Sequence, residues 1–507
     1  MLTGRRAIVA VSGALLASTI APLPAAPRQA TQPARRSVGA PRPKGTLAWK
    51  PCPVSRYDVT PSAPLECATL SVPLDRGAPQ GRSIDLALNR LRAVDIRTRL
   101  GTLIVNPGGP GGSGIFLAET YADRRVLESS LPTFTRRFDV IGFDPRGVGK
   151  STPIRCGQTR AEIGLNPFDD TQKPEVHADL LTKWKASCRT KSGDLLDHVG
   201  TIETAQDIES IRVALGESSI SFLGLSYGTL LGAVYETLFP SRVRAMVLDA
   251  AVDPLAYGVG RLVDSAKQAE GRLNSFLAEC AASSACVFND GSDPHRRLDA
   301  LLAKLDANPL AADPTRGLGS VNGRTVRTFL LNSLDLADEW SAAAKTLSDL
   351  DAGMRAASLS RFDDSDDGYI TDQLPEADTT AINCRDGALP SSPDDVRLAR
   401  QGIAEAAPRL QSILSEGADI CVGWPAPVRP IPSVRAVSKL ATLVIGSTGD
   451  SVTPYAWSVA LVRELGNAVL LTRHGAGHTS ADRDRCVNDF VTVYFEALRV
   501  PGAGATC

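Results

Sequence analysis

The chain has 507 residues, 43% hydrophobic and 22% charged, and its 55 Lys plus Arg against 56 Asp plus Glu leave a formal net charge of −1. That balance gives no global attraction to nucleic acid or to an anionic membrane surface, so polyanion binding is excluded as an organising function. The length predicts a main domain carrying a large insertion, or two domains, with ample core.

At the N-terminus, Arg5-Arg6 precedes an apolar run from Ala7 to Ile20 and the small, proline-punctuated residues Ala21 to Ala26. This layout predicts a secretory signal peptide over residues 1–26; the run is short for a membrane span. The arginine pair also fits a twin-arginine leader, but basic leaders are common and the general secretory route is favoured. Residues 27–45, rich in Pro, Arg, Ala and Gln, cannot bury enough surface to order themselves and form a disordered tether. The expected mature protein is secreted to the extracellular space, with no stable membrane insertion.

All ten cysteines lie beyond the tether: Cys52, Cys67, Cys156, Cys188, Cys280, Cys286, Cys384, Cys421, Cys486 and Cys507. An even number in an exported chain favours disulfides over free thiols. Pairing each cysteine with its sequence neighbour closes five local loops without crossing distant segments. No tight Cys-x-x-Cys or Cys/His ligand cluster is present, and no metal is expected.

Continuous apolar runs at Leu103 to Val105, Phe138 to Phe143, Ile220 to Leu223, Ala245 to Leu248, Leu443 to Ile445 and Ala468 to Leu471 alternate with helical patterns. Such runs predict an α/β fold with a mostly parallel sheet and helices on both faces. From residue 254 to 435 the rhythm changes to Ala/Leu/Asp/Arg-rich helical patterns, including Arg296 to Leu305 and Thr325 to Leu350. This stretch predicts a mainly helical cap inserted between two core segments, 46–253 and 436–507. The acidic run Asp363 to Asp367 lacks the glycine and distal glutamate of an EF-hand loop and fits a solvated turn.

Directly after Ile220 to Leu223 comes Gly224-Leu225-Ser226-Tyr227-Gly228. A strand that breaks into Gly-x-Ser-x-Gly and resumes as a helix raises a serine hydroxyl on a sharp turn, which makes Ser226 the candidate nucleophile. A serine needs a base, and the base needs an acid to fix its tautomer. Asp450 ends Leu443 to Gly449 at the same sheet edge. His474 and His478 both follow the last apolar run, and either can serve; Gly475 and Gly477 give the loop freedom to carry His478 over Ser226. Backbone donors for an oxyanion come from the N–H of Tyr227 and from the glycine loop Asn106 to Gly114. That loop has neither a P-loop ending nor a dinucleotide spacing, and no cofactor is expected.

Together, Asn106 to Gly114, Gly142 to Ser151, Gly224 to Gly228, Asp450 and Gly477-His478 resemble the α/β-hydrolase serine peptidases of the prolyl and tripeptidyl aminopeptidase family. Glu66-Cys67-Ala68 to Asp75 and Ala381 to Asp386 resemble the exported tripeptidyl aminopeptidase branch. The resemblance implies an α/β-hydrolase fold with Ser226 as nucleophile, Asp450 as orienting acid and His478 as general base. It adds Gly109 beside Tyr227 as oxyanion donors, although Pro107 stands where the family loop often has histidine. Family members hold the substrate α-ammonium with acidic cap residues, which points to Asp386 and then Glu376. Arg146 is expected to organise the strand-end loops, and Thr453 to bond the Asp450 turn.

The leading expectation is a secreted serine exopeptidase that releases short peptides, tripeptides first, from free N-termini through an acyl-enzyme. A carboxylesterase or lipase-like hydrolase is the first alternative, since the same triad cleaves esters. A catalytically silent surface binding protein is the second.

Overall fold

The computed structural model describes residues 47–53, 63–123, 132–157, 174–311, 320–334, 339–354, 359 and 376–507. The expected signal peptide, the tether and the acidic run Asp363 to Asp367 lie outside these residues.

One sheet of nine strands organises the chain: β1 (Lys50–Pro51), β2 (Leu65–Pro73), β3 (Ser83–Leu91), β4 (Gly101–Asn106), β5 (Phe138–Phe143), β6 (Ile220–Leu225), β7 (Val243–Asp249), β8 (Thr442–Gly449) and β9 (Ala468–Ala476). Their spatial order is β1-β2-β3-β5-β4-β6-β7-β8-β9. The pairings from β5 through β9 are parallel, and β1, β2 and β3 add an antiparallel flank. All six apolar runs picked out from the sequence are strands of this sheet. The β2–β3 hairpin was not among them, although Ile84, Leu86 and Leu88 alternate with polar residues as a half-buried strand does.

Alternation along the strands explains why the sheet is apolar throughout. Ile104, Phe222, Met246, Leu248 and Val444 enter one core, while Leu103, Val105, Leu223, Val247, Leu443 and Ile445 enter another on the opposite face. Strand side chains alternate faces, so a strand covered on both sides must be apolar at consecutive positions. The first face is covered by α2 (Pro174–Ser192), α3 (Thr201–Ala214), α4 (Tyr227–Leu238) and α12 (Tyr455–Leu465); the second by α1 (Gly114–Ala122) and α13 (Arg485–Ala497).

Between β7 and β8 the described elements are helices: α5 (Val259–Ala282), α6 (Pro294–Ala307), α7 (Gly323–Ser333), α8 (Trp340–Asp351), α9 (Glu376–Asp386), α10 (Pro393–Ala406) and α11 (Gln411–Leu414). The pattern read as continuous from Thr325 to Leu350 is two helices, because Leu334 leaves α-helical geometry at φ −91° and ψ 0° after the weak helix formers Asn332 and Ser333. Helices α5 to α8 and α10 bury Leu273, Phe276, Leu301, Phe329, Leu347 and Ile403 in a third core of their own. Helix α9 does not join it. Ala381, Ile382 and Cys384 of α9, with Cys421, Trp424 and Val434 further on, pack into the first sheet-face core instead.

The cysteines pair Cys52–Cys67, Cys156–Cys188, Cys280–Cys286, Cys384–Cys421 and Cys486–Cys507, the neighbour-to-neighbour ladder expected from the sequence. Bridge Cys384–Cys421 spans 37 residues and Cys280–Cys286 spans 6. Loop-closure entropy assigns about 4 kcal/mol to the longer loop and about 2 kcal/mol to the shorter. The double variant Cys384→Ser/Cys421→Ser is therefore expected to lose more stability in urea unfolding than Cys280→Ser/Cys286→Ser; the reverse order contradicts this ranking.

Candidate active site

Ser226 lies between β6 and α4 with φ 56° and ψ −125°, a region that costs a non-glycine residue about 1–3 kcal/mol. The surrounding backbone is crowded enough to hold it there. A Cβ on Gly224 would lie 2.2 Å from the Gly228 carbonyl oxygen, and one on Gly228 would lie 2.7 Å from the Asn106 carbonyl oxygen. Both motif glycines are thus required by close main-chain approach, as expected for a strand-turn-helix elbow. Tyr227 is the first residue of α4, so its N–H points out of a helix N-terminus where negative charge is favoured.

The glycine loop after β4 presses on this turn. A Cβ on Gly108 would stand 2.5 Å from the Leu225 carbonyl oxygen, 2.8 Å from Ser226 Cβ and 3.0 Å from the Tyr227 nitrogen. Gly108 and Gly109 have φ 100° and 108°. The loop is fixed from below by Asn106, whose Oδ1 accepts the Gly108 N–H at 3.0 Å, and it closes through Gly112 N–H to the Gly108 carbonyl at 3.0 Å. The expected donor Gly109 follows directly on the residue that touches the elbow.

Asp450 is fully buried at the end of β8. Its Oδ1 accepts from the N–H groups of Val452 and Thr453, each at 2.9 Å, and its Oδ2 accepts from the Thr453 hydroxyl at 2.9 Å. His478 Nδ1 sits 2.9 Å from Oδ2 and 3.1 Å from Oδ1 of the same carboxylate. With Nδ1 occupied by the acid, Nε2 is the nitrogen left for proton transfer. Of the two histidines, His478 is the one that meets Asp450; β9 runs to Ala476, and His474 lies exposed on this edge strand, its N–H bound to the Cys507 carbonyl at 2.8 Å.

Asp249, at the end of β7, was not singled out from the sequence, yet it touches both halves of the site. Its carbonyl oxygen accepts the Ser226 N–H at 2.9 Å, and its Oδ2 accepts the N–H groups of Ser480 and Ala481 at 2.6 and 2.7 Å. Burial pushes its carboxyl up to about 6 despite those two bonds.

Asp386 is buried at the end of α9, accepting the Thr201 N–H at 3.0 Å and the Thr201 hydroxyl at 2.6 Å; that hydroxyl also meets the Tyr227 phenol. It stands behind Tyr227, and burial raises it to about 7. Glu376 opens the same helix, but its side chain lies outside the described residues. A further carboxyl escaped the sequence reading. Asp378 is 1% exposed beside Gly111, its Oδ2 has no hydrogen-bond partner, and burial lifts it to about 8, with the Gly149 N–H opposing and Asp144 reinforcing the shift. Arg146 is fully buried and grips Asp207 with two bonds of 2.6 and 2.7 Å while donating to the Leu74 and His198 carbonyls at 2.9 Å, which ties the strand-end loops together.

Cap and site meet at several points. Thr379 of α9 donates to the Pro110 carbonyl at 2.8 Å, and Trp457 of α12 donates to Asp264 of α5 at 3.0 Å. A cavity of about 250 Å³ opens between α5, α7 and Ser451-Val452, directly after Asp450. Among the described residues, the Asp/Cys group close enough to share a cation is Asp484 with Cys486 and Cys507, and those cysteines are bonded to each other. No helix among the described residues is long and apolar enough to cross a membrane.

A family model described as TAP-like protein matches residues 407–507. Serine protease Hip1 of Mycobacterium tuberculosis is 32% identical over 506 residues, covering 93% of each chain. The chain belongs to the tripeptidyl-aminopeptidase-like family of α/β-hydrolases. Tripeptidyl aminopeptidase of Streptomyces lividans is 30% identical, covering 91% of this chain and 86% of its own. Carboxylesterase B of Mycobacterium tuberculosis is 33% identical, covering 94% and 92%. This family member is a serine hydrolase.

The raised carboxyls fix how stability depends on pH. A folded-state value above the ordinary 3.8 means that the fold favours the protonated form, so the stabilisation is present at low pH and is lost as pH rises through about 6, 7 and 8 for Asp249, Asp386 and Asp378. Tm is expected to fall as pH is raised from about 5.5 to about 8 and to level off above it, and Asp378→Asn to raise Tm at the alkaline end by about 2–4 °C. A wild-type Tm that stays flat across this window rules the assignment out.

Proposed function

We propose that this chain is an exported serine exopeptidase that releases short peptides, tripeptides first among them, from free N-termini through an acyl-enzyme. The observation that carries the reading is the strained Ser226 turn under the Gly108 loop, together with the buried Asp450 holding His478 by Nδ1.

In this reading His478 Nε2 accepts the Ser226 hydroxyl proton as Oγ attacks the scissile carbonyl. The N–H groups of Tyr227 and Gly109 stabilise the resulting oxyanion, and Asp450 stabilises the imidazolium. His478 then gives its proton to the departing peptide amine. Water, deprotonated by His478, attacks the acyl-enzyme, and its proton returns to Ser226 as the short peptide leaves with a free carboxylate. Membership beside the protease Hip1 and the tripeptidyl aminopeptidases favours peptide bonds, and the paired cysteines suit an oxidising compartment. A carboxylesterase is the second reading, carried by the similarity to carboxylesterase B.

Hydrolysis of an unblocked tripeptide anilide, its N-acetylated form and a simple acyl ester separates the two. The peptidase reading expects the unblocked anilide to be preferred; indifference to acetylation with faster ester cleavage would favour the esterase. Ser226→Ala is expected to lower kcat by about 10⁶-fold. Gly108→Ala, whose Cβ has no space over the elbow, is expected to lower it by about 10²- to 10³-fold, the range for a lost oxyanion donor.

A further inference from the structure

Among the described residues, five non-glycine residues have positive φ, and three surround one buried residue, Asp249: Ser226 at 56°, Ala250 at 60° and Thr479 at 62°. Ser226 donates its N–H to the Asp249 carbonyl at 2.9 Å, Ala250 follows Asp249 in the chain, and Thr479 joins His478 to Ser480. Such conformations persist only where the surroundings over-determine them. Here the surroundings meet in Asp249, which is 0% exposed and whose Oδ2 takes both the Ser480 and Ala481 N–H groups.

We propose that Asp249 is a positioning residue for the reaction: its main chain fixes the nucleophile turn and its carboxylate fixes the histidine loop, so that one residue sets the register between Ser226 and His478. The proposal rests on the reading of those two residues as the reacting pair. Asp450 orients the imidazole ring from the side, through Nδ1. Asp249 acts on the backbone two and three residues beyond the ring, and so controls where the loop stands above the elbow. An error of about 1 Å in such a pair costs on the order of 10²-fold in rate.

Charge is part of the grip, since an ionised carboxylate accepts two N–H groups on one oxygen more strongly than a neutral acid does. The titratable groups facing Asp249 are His478 and Asp482 from the loop and Tyr121 from α1. Burial raises the carboxyl, Asp482 adds to the rise, and the two N–H groups and His478 oppose it. Function therefore needs Asp249 unprotonated, against the preference of its surroundings.

The test is the rate of fluorophosphonate labelling of the full chain between about pH 4.5 and 8, for wild type and Asp249→Asn, alongside kcat and KM on a hydrolysed substrate and a melting curve. We expect Asp249→Asn to label about 10²-fold more slowly per folded molecule, with kcat reduced and KM changed by less than about threefold. A folded variant that labels at the wild-type rate overturns the proposal. If that variant does not fold, Asp249→Glu, which keeps the carboxylate but displaces it by one methylene, is expected to label about 10-fold more slowly, and a folded Asp249→Glu that labels at the wild-type rate overturns the proposal equally. Absence of labelling in folded wild type would instead remove the serine-nucleophile reading on which the proposal stands.

Discussion

Close approach of three main-chain segments at the carboxyl ends of β4, β6 and β7 is the constraint to which the rest of this structure conforms. Asn106, Gly108 and the Gly224-to-Gly228 turn meet at distances that leave no room for a Cβ at three positions. That crowding fixes Ser226 in a conformation serine avoids, and it places the Tyr227 N–H at the head of a buried helix. Parallel pairing makes it possible: with Asn106 opposite Gly224 and Leu225 opposite Asp249, adjacent strands end together and their loops must share one small volume. Chemistry at a parallel sheet edge is thus a packing result before it is an electrostatic one.

What was legible in the sequence was whatever the chain encodes locally. The Ser226 turn is five consecutive residues, the parallel strands are short apolar runs, and the Asp450 turn is closed by its own Val452 and Thr453 N–H groups. What required coordinates was contact across long separations. Asp249 reads as an ordinary polar residue at a strand end, and its partners Ser480 and Ala481 lie 231 and 232 positions away. Helix α9 has the composition of the cap around it, yet Ala381 and Ile382 belong to the sheet core, a difference of placement that composition does not carry. His474 and His478 share one glycine-rich stretch, and only the extent of β9 separates an edge-strand side chain from one that turns inward to Asp450.

The buried carboxyls hold ionisable groups where the fold disfavours their charge. Asp249, Asp378 and Asp386 all sit where burial penalises their charge, and Asp378 has one oxygen with no compensating donor. A fold selected only for stability would replace such groups with apolar ones of similar size. All three lie within the shell around the glycine loop, Tyr227 and the histidine loop, where strain and uncompensated polarity concentrate in enzymes. The cap, with a core of its own, carries the bulk of the insertion without drawing on that shell.

The bridge pattern has a consequence for how such a chain comes into being. Every cysteine is bonded to the next one along the sequence, at separations of 15, 32, 6, 37 and 21 residues. For a polypeptide delivered from its N-terminus, every second thiol that arrives finds its native partner as the sole unpaired one already present. Oxidation in order of arrival then yields the native set directly, with no wrong bond to undo and no isomerase step required by the connectivity.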